Sequence, residues 1–366
     1  MRNDGVAVMT VVGARPQFIK ALPVSRALAE VGLKEMLVHT GQHYDSGMSD
    51  VFFEQLGLAA PTHHLGVGSL PHGAQTGRLL ERLEQVMVAE RPRTVVVYGD
   101  TNSTVAGALA AVKLHIPVVH VEAGLRSFNR RMPEEINRVV TDHLSALCLA
   151  PTKMAVQHLA AEGITAGVHF VGDVMYDSIR LFREQVGTHA PAVLDRLGVA
   201  PRAFVFATVH RAENTDDRAR LLALFGALRR LARDLPVVVP VHPRTRKALA
   251  RAGWRGAGGM RLIEPVGYLD MVCLERSARL IATDSGGVQK EAYFYSVPCV
   301  TLRAETEWVE LVAAGWNRLV PPTSAGRVYR ALRVMAEDFR QPPRPRLYGN
   351  GRAADAVARG LRRATG

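Results

Sequence analysis

A chain of 366 residues is too long for one compact core and suits two domains of roughly 150 residues or more. Lys and Arg number 46 against 34 Asp and Glu, a formal net charge of +12, while 48% of residues are hydrophobic and 22% charged, which excludes wholesale disorder. No stretch approaches the roughly 18 consecutive apolar residues of a membrane span, so no membrane partner is expected.

The opening MRNDGVAVMTVVGARP is not read as a signal peptide, because its short apolar run reads as a strand and enters a loop rather than a cleavage site. Probable strands follow in chain order at Val6 to Val12, Met36 to His39, Thr94 to Tyr98, Val118 to Val121 and Ala146 to Ala150, with helical segments such as Ile19 to Val31 and Thr104 to Leu114 between them. The second half gives strands at Phe204 to Val209, Val237 to Val241, Arg261 to Ile263, Leu280 to Thr283 and Cys299 to Leu302. Strands alternating with helices are the signature of parallel α/β sheets. The stretch carrying Gly187, Pro191, Gly198 and Pro201 reads as a linker, which divides the chain into a first domain over 1–172, a linker region over 173–200 and a second domain over 201–340, both doubly wound and Rossmann-like.

The charge is an arginine bias, with six lysines against forty arginines spread along the chain and some density at Arg327, Arg330, Arg333, Arg340, Arg344, Arg346 and Arg352. No block of like charges or aromatic interleaving accompanies it, so nucleic acid is not the expected partner and an anionic small molecule is. Cys148, Cys273 and Cys299 are far apart and form no CxxC pair, which favours a reducing, cytoplasmic setting.

Chemistry concentrates where strands end, as ligand sites do in open α/β sheets. The first strand exits into Gly13-Ala14-Arg15-Pro16-Gln17 and a helix carrying Lys20, which reads as an anion-docking turn or as a plain βα turn with two solvated cations. TVVVY exits into Gly99-Asp100-Thr101-Asn102, where Asp100 is either a helix cap or a functional carboxylate. PVVHV exits into Glu122, which has no cap to serve and reads as functional. Pro133-Glu134-Glu135 opens the next helix, with one of its two acids suited to the helix dipole. Asp100, Glu122 and Glu134 are therefore expected to gather at one sheet edge for acid/base work. A metal site built with His120 or His43 is the competing reading, yet neither HExxH nor a paired ligand spacing supports it, so no metal and no cofactor is assigned. In the second half, strand exits carry His210-Arg211 and His242-Pro243-Arg244, and Thr283-Asp284-Ser285-Gly286-Gly287 opens a helix bearing Lys290 and Glu291. Backbone N–H groups at that helix start suit a diphosphate, and Glu291 suits ribose hydroxyls.

Gly13-Ala-Arg-Pro, Thr40-Gly-Gln-His, Gly99-Asp-Thr-Asn, His120-Val-Glu-Ala-Gly-Leu-Arg, Pro133-Glu-Glu-Ile-Asn-Arg, His210-Arg, His242-Pro, Thr283-Asp-Ser-Gly-Gly and Tyr348-Gly-Asn-Gly together resemble the non-hydrolysing UDP-N-acetylglucosamine 2-epimerases, nearly end to end and in order. The resemblance implies a GT-B fold of two Rossmann-like domains with an interdomain UDP site, a homodimer, and a C-terminal helix over 341–366 that packs back on the first domain. It implies C2 inversion by anti-elimination of UDP through a 2-acetamidoglucal, then re-addition of UDP. Asp100, Glu122 and Glu134 match the family's catalytic carboxylates, and His210 a histidine of catalysis and UDP binding. Arg15, Lys20, Ser285, Gly286, Gly287 and Glu291 match the diphosphate and ribose contacts. Gln42, His43, Gln75, Arg211 and His242 match a region where a second UDP-N-acetylglucosamine activates bacterial members.

Two features depart from the family pattern. Its Thr-Glu-Arg-Pro-Glu segment reads Thr306-Glu307-Trp308-Val309-Glu310 here, and Lys290 stands where many members have glutamate. Both resemble the subgroup acting on UDP-2,3-diacetamido-2,3-dideoxyglucuronate, which is the alternative substrate. A GT-B glycosyltransferase is the alternative activity.

Overall fold

The computed structural model describes residues 7–42 and 57–365. They form two compact units, one ending at Leu181 and resuming at Arg346, the other spanning Phe182–Pro345. In the first unit the strands are β1 (Val8–Val12), β2 (Glu35–His39), β3 (His63–His64), β4 (Thr94–Tyr98), β5 (Val118–Val121), β6 (Leu147–Ala150) and β7 (Val168–Phe170). The second holds β8 (Val205–Thr208), β9 (Val237–Pro240), β10 (Arg261–Ile263), β11 (Leu280–Thr283), β12 (Cys299–Thr301) and β13 (Asn317–Leu319).

Central strands such as VMTVV and TVVVY are buried at every position, as a parallel sheet covered by helices on both faces requires. Their β-branched valines lose little rotamer freedom on a pleated surface. The first sheet runs β3-β2-β1-β4-β5-β6-β7 and the second β10-β9-β8-β11-β12-β13, and every recorded pairing is parallel. In each, the chain moves outward from a middle strand, returns to that strand's other side and moves outward again. The direction reverses between β1 and β4 and between β8 and β11, the places where such sheets leave a crevice for ligands.

The expected strands all appear, some with ends shifted by up to two residues, such as Val8 in place of Val6. β3, β7 and β13 were not expected. They are edge strands of two or three residues with partly exposed positions, too short to carry a two-residue period. The region 173–200, expected as a linker, is helical instead, over Val174–Leu181 in the first unit and Arg183–Leu197 in the second. Pro191 lies inside the latter helix and Gly198 closes it in a left-handed conformation at φ 58°, so residues that read as linker punctuation serve one helix.

The C-terminal helix Ala353–Thr365 belongs to the first unit. The Tyr348-Gly-Asn-Gly segment crosses the first unit's chain there: the Asp173 N–H donates to the Tyr348 carbonyl at 3.1 Å and Arg180 to the Asn350 carbonyl at 2.9 Å. Asp177 accepts from the Ala353 and Ala354 N–H groups at 3.2 and 3.0 Å, capping the helix start. Burial pushes the Asp177 carboxyl up to about 6, outweighing the two N–H bonds, with Asp173 and Asp355 adding to the rise. A carboxyl raised on folding contributes stability that is complete below its unfolded value near 3.8 and is lost as pH rises through about 6. Measured against Asp177→Asn by thermal unfolding, the wild type should therefore gain stability as pH falls from about 7 to about 5. A difference independent of pH would contradict this.

Candidate active site

At the β1/β4 reversal one amide side chain sets the geometry. Gln17, in the first turn of helix Arg15–Glu30, accepts from the Gly13 and Ala14 N–H groups at 2.8 and 3.0 Å. Its Nε2 donates to the Tyr98 carbonyl at 2.8 Å and to the Thr104 hydroxyl at 3.0 Å, so the exits of β1 and β4 are tied through one buried residue. Arg15 is half-buried as the helix's first residue. Lys20 projects one turn further and forms an ion pair with Glu122, whose side chain is only 5% exposed.

Glu122 sits just past β5 at φ 74°, a left-handed conformation costing a non-glycine residue about 1 kcal/mol or more. The pair lies over Gly99, where an added Cβ would come within 3.3 Å of Glu122 Oε2 and 3.5 Å of Lys20 Nζ. Gly99 itself has φ 62°, so glycine is required both for the turn and for the approach of the pair. Asp100 is not the helix cap: Thr101 takes that role, its hydroxyl accepting from the Thr104 N–H, and the helix begins at Asn102. The Asp100 carboxylate instead pairs with Arg138 and is 30% exposed. Of the two acids after Pro133, Glu135 is the structural one, buried and accepting from the Ser127 and Phe128 N–H groups, each at 2.9 Å. Glu134 is half-buried beside it. Asp100 and Glu122 thus each carry a cation.

His120 is a bridge. Its ring nitrogens lie 2.7 Å from the Gly99 carbonyl and 2.7 Å from Asp142, which also takes Arg126 at 2.7 Å. Burial alone would push the Asp142 carboxyl up, yet His120 and Arg126 hold it below its ordinary range. Among the described residues no three His, Cys, Asp or Glu side chains form a metal-holding group. Gln42 and Gln75 are also buried: Gln42 Oε1 accepts from the Ser103 N–H at 2.9 Å and Gln75 Oε1 from Asn102 at 2.8 Å. His43 lies outside the described residues.

At the β8/β11 reversal the organising group is Asp284, fully buried. It accepts from the His210 N–H at 3.1 Å, the Arg211 N–H at 3.0 Å and the Asn214 amide at 3.0 Å. The His210 ring, 41% exposed, has Nδ1 3.5 Å from Asp284 and lies 6.1 Å from the His242 ring. His242 is exposed and caps helix Pro243–Arg251 by accepting from the Arg244 N–H. Ser285 is the cap residue of helix Gly286–Phe294 and makes no side-chain cap bond. Gly287 and the buried Glu291 share that helix, with a Cβ on Gly287 reaching 3.9 Å from the Glu291 carboxylate. Gly286 admits the carboxylate of Glu307, which an added Cβ would meet at 2.5 Å. Arg303, 1% exposed, pairs with Glu307 at 3.0 Å and with Glu213 at 3.3 Å.

Among the described residues Arg15, Lys20 and Asp100 lie beside the β1/β4 reversal with Glu122 paired to Lys20, and His210, Ser285, Gly286 and Gly287 lie beside the β8/β11 reversal, each set within its own unit. Gln17, Arg138, Asp142, Asp284, Arg303 and Glu307 were missed. Gln17, Arg138 and Asp142 sit in helices and Asp284 and Arg303 just past strands, and a polar residue among apolar neighbours was the signal that could have found them.

The model of the UDP-N-acetylglucosamine 2-epimerase family matches residues 26–362. A UDP-N-acetylglucosamine 2-epimerase homolog of Methanococcus maripaludis is 50% identical over 317 residues, covering 86% of this chain and 88% of that protein. The UDP-2,3-diacetamido-2,3-dideoxy-D-glucuronate 2-epimerase of Pseudomonas aeruginosa is 47% identical across 96% of this chain and 98% of its own. The crystal structure of the Methanocaldococcus jannaschii UDP-GlcNAc 2-epimerase in complex with UDP-GlcNAc and UDP superposes with a TM-score of 0.90 at 39% identity, covering 98% of this chain and 99% of that one. The two parallel sheets are GT-B-like, and with these relatives they define an isomerase, a UDP-sugar 2-epimerase. The chain belongs to the UDP-N-acetylglucosamine 2-epimerase family.

Replacing Asp284 with Asn keeps its shape but turns one acceptor into a donor facing backbone N–H groups. Denaturant unfolding of Asp284→Asn should show a loss of about 2 kcal/mol. An unchanged midpoint would contradict the role given to this carboxylate.

Proposed function

We propose that the enzyme interconverts UDP-N-acetylglucosamine and UDP-N-acetylmannosamine by elimination and re-addition of UDP. In the first half-reaction a carboxylate takes the C2 proton, the C1=C2 bond of a 2-acetamidoglucal forms, and the C1–O bond breaks with its electron pair leaving on UDP. The second half-reaction returns a proton to the opposite face of C2 while a UDP oxygen re-bonds to C1. Inversion therefore needs two proton-handling groups, and one carboxylate is not enough. The observation that carries this reading is the pair of cation-held carboxylates, Glu122 on Lys20 and Asp100 on Arg138, at one strand reversal. Glu134 completes the acidic set.

Departing UDP needs a positive environment for its growing charge. In this reading the Ser285-Gly286-Gly287 helix start and His210 supply it within the second unit, and Glu291 takes the ribose hydroxyls. The half-exposed Arg211 and exposed His242 are assigned to a second, activating UDP-N-acetylglucosamine, while Gln42 and Gln75 hold Ser103 and Asn102 in place. The active form in this reading is a homodimer. Phe128, 72% exposed, with Ile136 and Val140 one turn apart on helix Pro133–Leu144, offers an apolar surface for it. The setting is cytoplasmic, supported by three free buried cysteines whose thiols burial pushes up to about 11 or 12. Among the described residues no helix is long and apolar enough to cross a membrane.

A second substrate, UDP-2,3-diacetamido-2,3-dideoxyglucuronate, is favoured by the 47% identity to the Pseudomonas aeruginosa enzyme of that name. Incubating the protein with UDP-N-acetylglucosamine and, separately, with the diacetamido-uronate in D2O and following C2 by NMR decides between these. Deuterium at C2 in a mixture of gluco and manno UDP-sugars is the expected result, and Asp100→Asn should lower the rate by about 10²-fold or more. Release of UDP with free sugar would overturn the proposal, as would turnover confined to the diacetamido-uronate.

A further inference from the structure

Lys290 and Trp308, each singled out in the sequence, are in contact. Lys290, 1% exposed, is one turn inside helix Gly286–Phe294, and its ammonium lies 4.1 Å above the centre of the Trp308 ring. Helical side chains lean toward the N-terminus of their helix, so the Lys290 stem carries its charge back toward Ser285 and Gly286. Trp308, 3% exposed, lies at the same end, its Nε1 3.6 Å from where a Gly286 Cβ would stand.

The Trp308 segment is fixed to this helix by a second connection. Its N–H donates to the Thr306 hydroxyl at 3.1 Å, which donates to Gln289 Oε1 at 2.7 Å, and Gln289 Nε2 donates to the Ser285 carbonyl at 3.2 Å. Helix start and Trp308 segment therefore form one body with a cation inside it. An anion is there too: the Glu307 carboxylate packs against Gly286, held by Arg303. Beside a diphosphate site that carboxylate is repulsive, and an additional buried positive charge offsets it. A cation over an indole face in a dry setting is a favourable arrangement.

We propose that Lys290 and Trp308 act together as a positioning pair for UDP: the indole holds the Lys290 ammonium behind the helix start, where its charge strengthens the hold of Ser285 and Gly286 on the diphosphate. This rests on the reading of that helix start as the diphosphate cradle. The lysine serves the nucleotide half of the substrate, and a buried ammonium covered by indole is not the group that recognises a sugar carboxylate.

The test is calorimetric titration of UDP and, separately, of uridine into wild type, Lys290→Met, Lys290→Arg and Trp308→Leu. Lys290→Met keeps an apolar stem against the indole, and Lys290→Arg keeps the cation over it. Lys290→Met and Trp308→Leu should each weaken UDP by about tenfold with uridine unchanged, while Lys290→Arg stays close to wild type. Wild-type UDP affinity in Lys290→Met, or equal losses of UDP and uridine, would overturn the inference. Wild type that binds no UDP would overturn the reading of the cradle, and the inference with it.

Discussion

The ion pair between Lys20 and Glu122 is the contact around which the first unit's strand exits are arranged. It joins the helix after β1 to the end of β5 across the intervening β4, over a glycine that leaves no side chain in the way. Glu122 accepts a left-handed backbone to reach it. A strained residue persists only where its surroundings over-determine it. Here the surroundings are the amide bridge of Gln17 on one side and the His120–Asp142–Arg126 chain on the other.

The same economy recurs in the second unit. A single fully buried carboxylate, Asp284, orients the backbone of the His210 turn and the Asn214 amide, so the histidine ring is half free while its turn is fixed. Structural acids are buried and take N–H groups or cations from several directions. Asp100, given a reactive role, is more exposed and has one cation beside it.

Much of this was legible in the sequence. Runs such as TVVVY and PVVHV can only be strands buried on both faces, and their polar exits marked Asp100, Glu122, His210 and Ser285 without any structure. The partners were not legible, because Arg138 lies 38 residues from Asp100 and the Lys20–Glu122 pair spans 102. Contacts at that range follow from strand order, which periodicity does not encode. Helix Arg183–Leu197 was hidden by its own glycine and proline, whose local cost tertiary packing overrides. Lys290 and Trp308 stood out singly in the sequence, and only the fold brings them together.

The central proposal is a division of labour, with Asp100 and Glu122 assigned to C2 chemistry and the Ser285 helix start assigned to UDP. Titrating UDP calorimetrically into Glu122→Gln, alongside its rate of C2 deuterium incorporation, tests this most directly. The account predicts UDP affinity within about twofold of wild type while exchange falls by about 10²-fold or more. Loss of UDP binding in step with exchange would contradict it.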